Sequence, residues 1–230
     1  MEELNVAQKI AVWVLPVLLA ITVHEVAHGW VANRLGDSTA RMMGRLTLNP
    51  IKHIDPVGTL LVPAITLFAS GFVFGWARPV PVTWRNLKQP KRDMAFVAAA
   101  GPVSNLLMAF VWALVMRIGV HYHAAFGGFA QPLILMGVAG IFVNTLLLLV
   151  NLVPVPPLDG GRLLTGMLPS RLAARFGRIE PFGIFIVLGL LFTGLLWTVI
   201  NPFLSVSLTS LAAVAGVSWL DFRLALAIIQ

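Results

Sequence analysis

The chain reads as an all-α polytopic membrane protein, and three observations carry that reading. Of its 230 residues 58% are hydrophobic and only 11% charged; mean hydropathy is +0.89; and the apolar residues gather into runs close to the length that crosses a bilayer. A single soluble core would need helices with polar faces, yet the runs Leu133 to Leu149 and Ile184 to Ile200 have almost no polar residues. In hydrocarbon each backbone N–H and C=O must be paired within the segment, which leaves a helix bundle. The expected architecture is five to six transmembrane helices with a re-entrant segment, plus short β-strands in the cytoplasmic-side loops.

The spans follow in order: Ile10 to Asn33, Val57 to Ala77, Ala95 to Gly119, Pro132 to Leu152, Phe182 to Ile200 and Phe203 to Ile229. Direction comes from the loops. Arg34, Arg41, Arg45 and Lys52 follow the first span, Arg78, Arg85, Lys88, Lys91 and Arg92 the second, and Arg162, Arg171, Arg175 and Arg178 the fourth, so the positive-inside rule makes these loops cytoplasmic. Residues Val120 to Gln131 include no Lys or Arg and are expected outside, as is a tight turn at Asn201-Pro202. Because both flanks of Val57 to Ala77 are basic, and Pro63, Gly71 and Gly75 interrupt it, that segment is expected to enter and leave by one face; a sixth ordinary crossing is the alternative. The amino terminus is then outside and the carboxyl terminus inside a cell inner membrane. Strand-like stretches occur at Gly44 to Leu48 and Pro79 to Trp84, the latter with edge-type prolines at 79 and 81. One membrane domain is expected over 1–230, with a core at about 10–168 and a C-terminal helical pair at about 181–229.

The formal charge of +7 arises from 16 Lys and Arg against 9 Asp and Glu. In this setting the cations orient spans and meet anionic headgroups; nucleic acid is not an expected partner. The first apolar segment follows Glu2 and Glu3 instead of a basic cluster and has no small-residue cleavage pattern, so it is expected to remain as a helix. With no cysteine, a metal would have to be held by His, Asp or Glu.

Such a set is available. His24-Glu25-Val26-Ala27-His28 lies inside the first apolar run, where an ionisable acid costs about 2.5–3.5 kcal/mol even on a lenient insertion scale. On a helix the two histidines share a face and can offer imidazole nitrogens to one Zn²⁺, with Glu25 beside the water the ion would hold. From Ile10, His24 lies about 21 Å along the helix, which leaves roughly 10 Å to the inner edge of a 30 Å core. Catalytic zinc commonly takes a third protein ligand. Asp37, Asp55, Asp93, Glu180 and Asp221 lie in or beside loops, where a solvated charge or a helix cap is expected. Asp159 is different: it follows a proline-rich break, Asn151 to Leu158, at the inner end of the fourth span, and so approaches the depth of the histidines. Asn144, seven residues before Asn151, either points into the site or bonds across helices. His121 and His123 are expected to be solvated, and His53 to be merely polar.

The motifs HEVAHG at 24–29, GPVSN at 101–105 and NLVPVPPLDGG at 151–161, with GRLTLNP and GWARPVPV between them, resemble the site-2 proteases, a family of intramembrane zinc metalloproteases. The resemblance covers roughly residues 10–168 and is to the short form, without PDZ or CBS domain. It implies that His24, His28 and Asp159 bind one Zn²⁺, that Glu25 is the catalytic acid/base, that Asn151 faces the active site as a substrate-binding or oxyanion-supporting residue, and that Asn105 is structural or substrate-lining; the substrate is a transmembrane protein or peptide cleaved in or near its membrane segment. The competing reading is a proton- or metal-linked transporter using the same His/Glu/Asp cluster as a relay. It lacks the repeated halves common in transporters.

Overall fold

The computed structural model describes residues 4–62, 65, 75 and 77–230. Helix α1 (Val6–Arg34, 29 residues) begins with a reciprocal cap, in which Asn5 accepts from the Gln8 N–H and Gln8 accepts from the Asn5 N–H. At 1.5 Å per residue it is about 43 Å long, enough to cross a bilayer with turns to spare. After the short helix α2 (Thr39–Met42), α3 (Pro90–His121) opens on a proline, and Gln89 N–H donates back to Asp93 at 2.8 Å. A turn, α4 (His123–Phe126), leads to α5 (Ala130–Asn151). Then come α6 (Asp159–Met167), α7 (Ser170–Gly177), α8 (Gly183–Phe192), α9 (Leu195–Ala215) and α10 (Trp219–Ile229).

Helices α3 and α5 form the most extensive pair. Gly137 and Gly140 of α5 lie so close to Met116 and Trp112 of α3 that a Cβ at either glycine would collide with them. Small residues allow this approach, and in lipid close packing replaces the hydrophobic effect as the force between helices. Along α9, Leu196, Ile200, Leu204, Leu208 and Leu211 form a buried stripe at helical spacing, while Leu195, Val199, Phe203 and Val206 face outward. The stripe joins the same core as Ala113, Val138 and Ile141, and α10 closes it with the fully buried Phe222.

Several sequence expectations change here. Among the described residues four segments are long and apolar enough to cross a membrane: α1, α3, His123–Asn151 and α9. The expected turn at Asn201-Pro202 lies inside α9. The chain breaks instead at Gly194 and Gly216, both left-handed with φ of 73° and 79°. No atom lies near the position of a Cβ at either one, so the backbone conformation alone calls for glycine. Helices α8 and α10, of 10 and 11 residues, are about 15 and 16 Å long and too short to cross alone.

The carboxyl end also differs from expectation. The Ile229 carbonyl accepts from the Trp13 indole at 3.0 Å, which puts the end of α10 against the amino-terminal half of α1, about eleven residues or 16 Å from the level of His24. Arg117, near the end of α3, donates to the Val214 carbonyl at 3.1 Å, so α9 ends where α3 ends and α10 returns only part of the way.

No strand occurs among the described residues. The stretch at 79–84 shows why. Pro79 and Pro81 have no N–H, the N–H groups of Val80 and Thr83 are taken by Glu25 and Asp37, and Arg45 occupies the carbonyls of Arg78 and Pro79. Side chains use the groups a ladder would need. Gly44, at the start of the other stretch, has φ 63° and closes a turn. Of the proposed re-entrant segment, Pro56–Leu61 forms a π-type turn capped by Asp55; most of the remainder lies outside the described residues.

Candidate metal centre

Helix α1 stacks His24 and His28 one turn apart, with ring centroids 4.6 Å apart and planes at 87°. Helix α3 runs antiparallel beside them and presents every fourth residue. The Val97 carbonyl accepts from His28 Nδ1 at 2.7 Å, Gly101 faces both rings, and Asn105 Oδ1 accepts from His24 Nδ1 at 2.6 Å. A carbonyl oxygen can only accept, so each Nδ1 carries the hydrogen and each Nε2 keeps its lone pair. The Asn105 amide is oriented in turn, since its Nδ2 donates to Asn144 Oδ1 at 2.9 Å and to the Ala20 carbonyl at 3.2 Å.

Asp159 arrives from the opposite side as the first residue of α6. Its entry is made possible by Gly160 and Gly161, where a Cβ would strike the backbone of Leu152 and of Val155–Pro156. The glycine pair lets the helix start tuck under the loop that leaves α5. Asp159 Oδ2 lies 3.2 Å from His24 Nε2 and 3.3 Å from His28 Nε2, and the two Nε2 atoms are 3.1 Å apart.

This triangle fits a metal. Three lone-pair atoms face one another without a hydrogen between them, and the buried Asp159 Oδ2 has no hydrogen-bond partner among the described residues. Left to themselves they would repel. Tetrahedral zinc with bonds of about 2.0–2.1 Å separates its ligands by about 3.3–3.4 Å, close to all three edges. His24, His28 and Asp159 also form the one group of three or more such ligands found among the described residues.

The remaining candidates are placed differently. Glu25, half-buried, accepts from the Val80 N–H at 2.7 Å. Asn151, partly exposed in the last turn of α5, donates to its own helix at Leu147. Asn105, expected to be structural or substrate-lining, is fully buried with its amide hydrogen-bonded to His24 and Asn144, the arrangement of a structural residue. Asn144 bonds across helices, one of its two sequence readings. His53 is buried and donates to the Thr47 carbonyl, whereas His121 and His123 are exposed.

Sequence reasoning missed Gly101, whose signal was its place within GPVSN. A Cβ there would run into both imidazoles. It also missed the burial of Asp37, which is neither a solvated charge nor the capping residue of the short helix that follows it. Burial alone would raise its pKa; the Thr39 hydroxyl, the Asn86 amide and the Thr83 and Thr39 N–H groups outweigh that and hold it below the ordinary carboxylate value.

Comparison with known proteins agrees with the geometry. The chain is 39% identical over 193 residues to YwhC of Bacillus subtilis (strain 168), a match that spans 82% of this chain and 85% of that protein, which is named as a zinc metalloprotease. The chain belongs to the site-2 protease family. Rip2 of Mycolicibacterium smegmatis, also named as a zinc metalloprotease, is 31% identical over 178 residues, 76% of this chain and 64% of Rip2. Rip2 of Mycobacterium tuberculosis (strain H37Rv) is 30% identical over 145 residues, 62% of this chain and 52% of its own length. No family model and no solved structure matches the chain. As a site-2 protease the chain is a membrane metalloendopeptidase that uses Zn²⁺, and a transporter is not the favoured reading.

Proposed function

We propose that this site-2 protease hydrolyses a peptide bond in or near the transmembrane segment of membrane-protein substrates, with His24, His28 and Asp159 as zinc ligands and Glu25 as the catalytic acid/base. The observation that carries the reading is the convergence of His24 and His28, inside a membrane-spanning helix, with Asp159 on one small triangle of unshared lone pairs. Basic loops next to the inner ends of α1 and α5 support an opening toward the cytoplasm of a cell inner membrane.

Bound in the triangle, Zn²⁺ would supply a water of pKa near about 7 and polarise the scissile carbonyl. The protein's own groups do the rest. Glu25 removes the proton as the water oxygen bonds to the carbonyl carbon, then delivers it to the amide nitrogen as the C–N bond breaks. No covalent bond to the enzyme is formed. Asn105 and the Val97 carbonyl keep the His24 and His28 rings in the tautomer that leaves Nε2 free. Asn151, at the end of α5 and partly exposed, is assigned to the substrate. A transmembrane substrate has to unwind locally, because a helix shields its peptide bonds in hydrocarbon.

Zinc content and cleavage of a synthetic transmembrane peptide in detergent test the reading. Wild type and Glu25→Gln should each hold about one zinc per chain, Asp159→Ala should lose it, and wild type alone should cleave. Undiminished cleavage by Glu25→Gln would overturn the assignment of the base, and full zinc in Asp159→Ala would overturn the ligand set.

A further inference from the structure

Arg45 is a buried cation that the metal centre does not use. Only 8% of the residue is exposed, and among the described residues its Nε has no partner and no carboxylate lies within ion-pair distance of it. A buried charge without a paired carboxylate is costly, so its placement calls for a compensating use. Its Nη2 donates to the Arg78 carbonyl at 2.9 Å and approaches the Pro79 carbonyl at 3.5 Å. The next peptide N–H along the chain, that of Val80, is the one that donates to Glu25 at 2.7 Å.

We infer that Arg45 is a positioning residue for Glu25: by holding the carbonyls of Arg78 and Pro79 it turns the Val80 N–H toward the Glu25 carboxylate. The inference rests on the reading of Glu25 as acid/base. Flanking prolines make the arrangement necessary. Pro79 and Pro81 donate no hydrogen bonds, so the extended segment cannot be registered by a strand ladder and depends on side-chain clamps. Asp37 clamps it at Thr83, and Arg45 clamps the end nearest Glu25. The charge also matters. Burial and the neighbouring Arg78 push the Arg45 guanidinium down from the ordinary arginine value, and Glu25 is the carboxylate that opposes them.

The test measures zinc, KM and kcat in the full chain for Arg45→Ala, Arg45→Lys, Val80→Pro and the pair Arg45→Ala/Val80→Pro, with Val80→Ala as a control that keeps the N–H. A misplaced catalytic group costs on the order of 100-fold, so kcat should fall by about that in Arg45→Ala, with zinc and KM unchanged. Arg45→Lys, which keeps a cationic donor, should recover to within about tenfold of wild type, and Val80→Pro should fall well below Val80→Ala, which shares the loss of the valine side chain but keeps the N–H. If the arginine acts through the Val80 N–H, the pair should be no worse than about twofold below the poorer single variant. Multiplied losses in the pair, or wild-type kcat in Arg45→Ala or in a folded Val80→Pro, would overturn the inference. Should Arg45→Ala not fold, Arg45→Lys and Val80→Pro still decide it. Activity surviving in Glu25→Gln would instead remove the base itself, a failure separable from that of Arg45.

Discussion

The seam where α1, α3 and α6 meet and the stripe where α9 and α10 pack on α3 and α5 are both buried, but different forces hold them. In the seam, His24, Asn105 and Asn144 form a chain of directional bonds of 2.6 and 2.9 Å, and glycines at 101, 160 and 161 leave no room for a methyl group. In the stripe, Leu196, Ile200, Leu204, Leu208, Leu211 and Phe222 belong to one apolar cluster. The seam should therefore fail by loss of geometry at one atom, and the stripe by loss of volume spread over many. Function and stability should separate along this line.

The sharpest way to break the contrast is Gly101→Val. Its side chain would occupy the space of both imidazoles, so zinc and cleavage should be lost altogether while circular dichroism still reports a helical bundle. A variant with normal zinc would mean that α3 can retreat from α1. Asn105→Ala should be milder. It frees His24 Nδ1 and should weaken zinc affinity by about 10–100-fold in a chelator competition, the usual cost of losing a ligand's supporting hydrogen bond. In the stripe, Leu208→Ala should lower stability by about 2 kcal/mol in reversible unfolding and leave zinc stoichiometry and kcat untouched.

The smallest effect concerns acid. Asp37 has a folded pKa below its ordinary value, so its stabilisation is complete above that ordinary value of 3.8 and is lost as pH falls through the lowered folded one. Melting temperature followed from pH 5 downward should drop more steeply in wild type than in Asp37→Asn, with the variant less stable at neutral pH. Parallel curves would remove Asp37 as a source of acid sensitivity.

Much of the candidate site was legible because it obeys local rules. Two histidines four apart on a helix must share a face, and an acid in an apolar run demands a use, so His24, Glu25 and His28 were visible without coordinates. Asp159 was visible through the prolines that end the preceding span. Gly101 was not, because the need for a missing Cβ exists only once α1 and α3 are side by side. Asp37 was read as a solvated charge or a cap for the same reason: two of its donors, from Thr83 and Asn86, lie more than forty residues away.

The fold divides in the same manner. Composition and run length alone determined a bundle of apolar helices, and the spans at α1, α3 and α5 follow from hydropathy, which is a sum over neighbours in the chain. Tertiary structure decided where the carboxyl-terminal run is cut, since Pro202 is accommodated within a helix that packs on both sides of it while Gly194 and Gly216 turn the chain. It also decided that residues 79–83 pair with side chains and not with a strand, because backbone groups bond to whichever partner is near, and nearness across the sequence belongs to the folded chain.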